Sequence, residues 1–108
     1  MEAQAAMSNF LDQKAPFDGL VAASDLIAIN AMGVMRARGM RVPQDVSVVG
    51  YDDIDQAAHS FPPLSTVRQP IDLAGQVIIT SLLAMLNGEA VSSQLIPTSL
   101  VIRDSSVA

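Results

Sequence analysis

Leu20 to Gly50 reads LVAASDLIAINAMGVMRARGMRVPQDVSVVG, and this stretch decides the fold. Leu20–Ala23 is a short continuous apolar run, the pattern of a strand buried on both faces. Ser24 then offers a side-chain oxygen at a helix N-cap position, and Asp25 puts a carboxylate in the positive first turn. The predicted helix runs to Arg38, and Gly39 ends it in a left-handed turn. Its apolar residues Leu26, Ile27, Ala28, Ile29, Met32, Val34 and Met35 cover most of its circumference, so it must be covered on two sides, by a sheet below and a partner above. Pro43–Asp45 is a turn, and the β-branched run Val46–Gly50 is a second strand. Strand, helix, strand with continuous apolar strands is the signature of a parallel α/β unit.

Working outward, Glu2–Gln13 carries Ala3, Ala6, Met7, Phe10 and Leu11 at helical spacing, and Pro16 closes that element. After the second strand come Tyr51-Asp52-Asp53 and a short helix over Ile54–His59, stopped by Pro62-Pro63. Leu64–Arg68 is a third strand. Pro70 suits the first position of a further helix, with Asp72 in its first turn and Gly88 at its end. Gln94–Thr98 and Ser99–Ile102 are predicted as extended segments divided by Pro97, and Arg103–Ala108 as a polar, frayed tail. The order α-β-α-β-α-β-α-β-β gives an α/β fold with a parallel sheet.

The chain has 108 residues, a formal net charge of −5, half its residues hydrophobic and no cysteine. That length allows at most one small domain, and the apolar content excludes disorder. Without cysteine there is neither a disulfide scaffold nor a thiolate zinc site. The acidic balance argues against nucleic acid as this chain's own partner. The longest greasy stretch, Val77–Leu86, is too short to span a bilayer, and the N-terminus lacks the charged and apolar regions of a signal peptide. A cytoplasmic protein is expected. A mean hydropathy of +0.37 is high for so short a soluble chain, which points to apolar surface reserved for an interface.

In open parallel sheets, ligands bind outside the carboxyl ends of the strands. Here those ends carry Ser24 and Asp25, Asp52 and Asp53, and Gln69. Carboxylates and amides suit polyols, because one carboxylate accepts from two adjacent hydroxyls, so the ligand implied is sugar-like or nucleoside-like. The plainer reading is that Ser24 and Asp25 only cap a helix and that Asp52-Asp53 only shapes a turn. Capping is preferred for Asp25, and ligand contact for Asp52 and Ser24, though spacing alone does not separate the two. No histidine or second acidic cluster completes a metal site around the aspartates. His59 is the sole histidine and reads as a surface or interface residue; none lies near Ser24 and Asp25 in sequence, so a Ser-His-Asp triad is not expected. Gly19, Gly33, Gly39 and Gly50 match neither a P-loop nor a dinucleotide fingerprint. The residues give no support for an enzyme, a metal or a cofactor.

Four ordered blocks then carry a resemblance. Phe17–Ala28 resembles the segment entering the effector cleft of LacI/GalR-type bacterial transcription regulators. Gly39–Ile54 is similar to their most recognisable C-terminal block, Pro62–Pro70 to the segment after it, and Leu95–Arg103 to their C-terminal strand pair. The resemblance implies a periplasmic-binding-protein-like core, present in part. Residues 1–69 would belong to the C-terminal lobe, 70–98 to the N-terminal lobe, and 99–108 to a return strand and tail of the C-terminal lobe. A helix-turn-helix head, a hinge helix and most of the first lobe would lie outside the resembling third.

By the same resemblance, Asp52 matches an aspartate that binds effector hydroxyls, and Ser24 a position often held by asparagine. Gln69 matches a polar residue near the lobe crossover, and Ile71 a position where some members place an aromatic ring. Ala28, Ile29 and Met32, with Ile54, Ala57, Ala58 and Phe61 in the following segment, resemble the homodimer interface. Operator DNA would be reached only through the head. A periplasmic sugar-binding protein and a structural association piece without ligand affinity are the alternatives.

Overall fold

The computed structural model describes residues 2–107. Its elements follow the order α1 (Glu2–Asp12), β1 (Gly19–Val21), α2 (Asp25–Ala37), β2 (Ser47–Asp52), a single 3-10 turn (Asp55–Ala58), β3 (Ser65–Arg68), α3 (Ile71–Leu86) and β4 (Ser99–Val101). The strands form one sheet in the order β1-β2-β3-β4. β1 runs parallel to β2 with Leu20 opposite Val48, and β2 runs parallel to β3 with Gly50 opposite Thr66 and Asp52 opposite Arg68. The carboxyl ends of three strands therefore lie side by side. The α/β architecture expected from the sequence is the one observed, with β1, β2 and β3 parallel.

The chain divides into two compact units, one of residues 1–68 with 100–108 and one of residues 69–99. In the first, Ala28, Ala31, Met32 and Met35 turn one face of α2 onto Val46, Val48 and Leu64, while Met7 of α1 and Ala22 complete the core. A core of short aliphatic and methionine side chains follows from a composition of 4% aromatic residues. Full burial of each methionine, valine or leucine side chain here is worth about 1.5–3 kcal/mol, and of each alanine less. Ser24, extended at φ −151°, caps α2 by accepting from Ile27 N at 3.3 Å. At the other end Gly39 takes φ +78°, Met40 N donates to Met35 O and Gly39 N to Arg36 O, which satisfies two carbonyls that a helix end would otherwise leave open. α1 is tied across α2 by Arg38, which pairs with Asp12 at 2.7 Å and donates to Ser8 Oγ at 2.6 Å.

The tail is a correction to the sequence reading. Arg103–Ala108 is expected to fray, yet Ser105 is fully buried. Its Oγ donates to Val48 O at 2.6 Å and accepts from Ser65 N at 2.8 Å, and its carbonyl accepts from Val48 N at 2.8 Å. The segment continues the hydrogen bonding where the β2–β3 ladder begins. Small hydroxyl residues fit there because they reach two strand backbones at once.

In the second unit α3 ends as α2 does, with Gly88 at φ +80° and Glu89 N donating to Ala84 O. Pro70 is the N-cap residue, not the first helical one as expected. No residue of α3 is buried, and Ile78, Ile79, Leu82, Leu83 and Leu86 are exposed. The strand expected over Gln94–Thr98 does not form. An extended segment becomes a strand only with a ladder partner, and Pro97 has no N–H to give one. Among the described residues no helix is long and apolar enough to cross a membrane.

Candidate functional site

The candidate site of the first unit is the carboxyl edge of β1, β2 and β3. β2 alternates half-buried and buried residues up to Gly50, where a side chain does not fit. A Cβ there would run into Asp25 Oδ1, would lie 2.9 Å from Leu64 Cδ2 and would lie 3.1 Å from Asp25 Cα. Glycine at this position lets the first turn of α2 settle directly on the strand. Asp25, expected only to cap the helix, is instead fully buried against it. Its Oδ1 accepts from Thr66 Oγ1 at 2.5 Å and its Oδ2 from Ile54 N at 2.8 Å. One carboxylate thus joins α2, β3 and the segment leaving β2.

Beyond Gly50 the chain turns left-handed twice, at Asp52 (φ +117°) and Asp53 (φ +55°). Aspartate tolerates this region better than most residues, but two in succession need external support. The Asp53 side chain is only 10% exposed and sits between Arg68 Nε at 2.7 Å and Arg103 Nη2 at 2.8 Å. Burial pushes its pKa up, but hydrogen bonds and charge from Arg68 and Arg103 outweigh that and hold it below the ordinary carboxylate value. Arg103 is itself fixed, donating Nη1 to Leu64 O at 2.9 Å and its backbone N–H to Ser65 Oγ at 2.8 Å.

Asp52 is exposed at the end of β2, and Ser24 is half-buried before α2. Asp52 is the last residue of β2, and Ser24 follows the neighbouring β1 by three residues as the N-cap of α2. Gln69 and Ile71 belong to the second unit, Gln69 half-buried and Ile71 exposed as the first residue of α3. Among the described residues no group of three or more His, Asp or Glu gathers to hold a metal.

Of the residues expected at a dimer interface, Ala28 (0% exposed), Met32 (2%) and Ala57 (0%) belong to the unit's own core and have no surface to give a partner. That is a correction, and the cause is helical phase. These residues lie on the face of α2 and of the 3-10 turn that meets the sheet. Ile29 and Ile54 are half-buried, Ala58 is exposed and Phe61 is 76% exposed. Arg36 holds Phe61 in place, its guanidinium 5.5 Å from the ring centroid and its Nη1 donating to Phe61 O at 3.0 Å.

The family model of the periplasmic binding protein-like domain matches residues 1–106. The chain belongs to that family. Within it, the similarity is to LacI-type transcriptional regulators. The regulator CelR of Thermobifida fusca is 42% identical over 103 residues, covering 94% of this chain and 30% of CelR. The lac repressor dimer bound to operator and the anti-inducer ONPF superimposes with a TM-score of 0.94 at 36% identity, over 100% of this chain and 38% of that one. A CelR–cellobiose complex superimposes with a TM-score of 0.88 at 40% identity, over 96% of this chain and 32% of that one. The chain therefore spans about a third of the length of the relatives it matches.

For this periplasmic-binding-protein-like chain, sequence reasoning missed the roles of Asp25, Asp53, Arg68 and Arg103. One signal was present. An isolated glycine in a β-branched strand marks close backbone approach, and Gly50 marks the place where Asp25 lands. The arginine partners of Asp53 left no local signal.

Proposed function

We propose that the chain is part of the effector-sensing core of a LacI-type transcriptional regulator and supplies one side of a cleft for a small sugar-like ligand. The observation that carries this reading is Asp52, an exposed carboxylate at the end of a central parallel strand, with Ser24 in the loop that follows the neighbouring strand. A carboxylate there accepts from two vicinal hydroxyls. Gln69 and Ile71, both in the second unit, are proposed as effector contacts of that unit. The lobe assignment, with residues 1–69 and 99–108 in one lobe and 70–98 in the other, belongs to the same proposal. The binding of cellobiose by CelR, its relative, supports a sugar as the ligand class.

The chain acts as a binding module and not as an enzyme in this reading, in the cytoplasm and without metal or cofactor. Ile29, Ile54, Ala58 and Phe61 form part of a homodimer surface, and operator DNA is bound by a separate head domain. Titration calorimetry of the complete protein with a panel of sugars that includes cellobiose tests it. Binding weakened by about 1–3 kcal/mol in Asp52→Ala is expected. Equal affinity in that variant removes Asp52 from the site.

A further inference from the structure

The two aspartates at the end of β2 differ in exposure. The carboxylate of Asp53 is turned inward onto two guanidiniums, while Asp52 is exposed. Their backbones share one left-handed turn, which neither residue prefers. The turn is anchored on its far side by Ile54 N donating to Asp25 Oδ2 and, more weakly, by Asp53 N donating to Thr66 Oγ1 at 3.4 Å. What fixes its middle is the pairing of Asp53 with Arg68 and Arg103. These arginines come from separate places. Arg68 ends β3 as the last residue of the first unit before the chain leaves it, and Arg103 lies just after the chain returns at Leu100. One carboxylate, its side chain 10% exposed, therefore takes two cations from both ends of the excursion, at a turn that any glycine would make without strain. Strained backbone held by its surroundings is a mark of a functional position.

We propose that Asp53 is a positioning residue: clamped by Arg68 and Arg103, it holds the left-handed turn that presents Asp52 to ligand hydroxyls. This rests on the reading of Asp52 as an effector contact. It adds that the contact is pre-organised by an ion pair the ligand never touches, so that Asp52 pays little ordering cost on binding.

The test uses the complete protein, with Asp53→Asn, Arg103→Lys and Arg103→Met beside Asp52→Ala. Two readouts are taken: calorimetric affinity for cellobiose, and the NMR amide–Hα scalar couplings of residues 52 and 53, which report φ directly. Asp53→Asn keeps the side-chain shape and removes the charge. It is expected to change both couplings and to weaken cellobiose binding about tenfold, with Arg103→Lys retaining more affinity than Arg103→Met. If Asp53→Asn lowers only the unfolding midpoint and leaves couplings and affinity unchanged, while Asp52→Ala still weakens binding, the positioning role is overturned and the effector reading stands. If Asp52→Ala leaves affinity unchanged, the effector reading falls instead. Should the wild-type protein not bind cellobiose, unchanged couplings in Asp53→Asn overturn the positioning role on their own.

Discussion

The Thr66 hydroxyl donates to Asp25 Oδ1 with both residues fully buried, so a strand and a helix far apart in sequence are joined by one hydrogen bond inside the core. A buried carboxylate is tolerated only while its lone pairs are occupied. Thr66→Val keeps the shape of the side chain and removes the donor. It is expected to destabilise the protein by about 1–3 kcal/mol. Asp25→Ala should cost at least as much, because it also strands Ile54 N. Urea unfolding midpoints measured at constant slope would check both, and a shift within error for Thr66→Val would rule out the hydrogen bond as a stabilising contact.

Gly50 and Gly33 should respond to alanine with opposite signs. At Gly50 a methyl group meets the backbone and carboxylate of Asp25, which cannot retreat without moving α2. Overpacking of this kind costs about 1–3 kcal/mol. Gly33 lies inside α2 with nothing within 4 Å of an added Cβ. Alanine there gains up to about 1 kcal/mol of helix propensity. Thermal unfolding of the two variants gives the comparison, and a loss of stability in Gly33→Ala would contradict it.

Acid should lower the stability of the protein through the carboxylates of Asp45 and Asp53. Asp45 is held down to about 2 by side-chain and backbone hydrogen bonds from Arg41, and Asp53 is also held below the ordinary 3.8 by its arginines. A depressed carboxyl pKa contributes stability that is complete above the unfolded value and is lost as pH falls through the folded value. Stability is thus expected to be level above about pH 5 and to fall between there and pH 2. The Asp45 pair is exposed at the surface, so its share should shrink in high salt, and that of Asp53, with its side chain 10% exposed, should shrink less. Denaturant midpoints across this range, with and without salt, measure the two. An unchanged acid slope in Asp53→Asn would show that Asp53 contributes none of it.

Ser105→Ala tests the tail. The hydroxyl bridges Ser65 N and Val48 O in a fully buried setting, and its removal leaves a donor and an acceptor unsatisfied. A loss of about 1–3 kcal/mol is expected. Amide hydrogen exchange at Ser65 and Val48 would localise the effect, since Val48 N keeps its bond to the Ser105 carbonyl and Ser65 N does not.

These contrasts show what the sequence could and could not disclose. The strand–helix–strand unit, the glycines that end α2 and α3, and the position of Asp52 at a strand end follow from local rules. Periodicity, left-handed caps and strand composition act over a few residues. The fates of Asp25, Asp53 and Ser105 depend on partners in other elements, and residue type alone cannot choose among a cap, a turn and a buried network. The phase of α2 is hidden for a related reason. An almost wholly apolar helix does not tell which side meets the sheet, so its sequence does not separate core residues such as Ala28 and Met32 from interface residues.

Ser24 offers the final separation of structure from binding. Its Oγ already accepts from Ile27 N, so Ser24→Ala should cost about 1 kcal/mol of stability through the lost cap, whatever the site does. Ser24→Asn keeps a capping oxygen and adds an amide that reaches further from the strand end. If Ser24 stands at the edge of a sugar site, the asparagine variant should retain stability and change affinity, while the alanine variant should lose both. Paired unfolding and calorimetry on the complete protein measure this directly. Affinity that stays constant across serine, alanine and asparagine would confine Ser24 to capping and leave Asp52 as the first unit's contact.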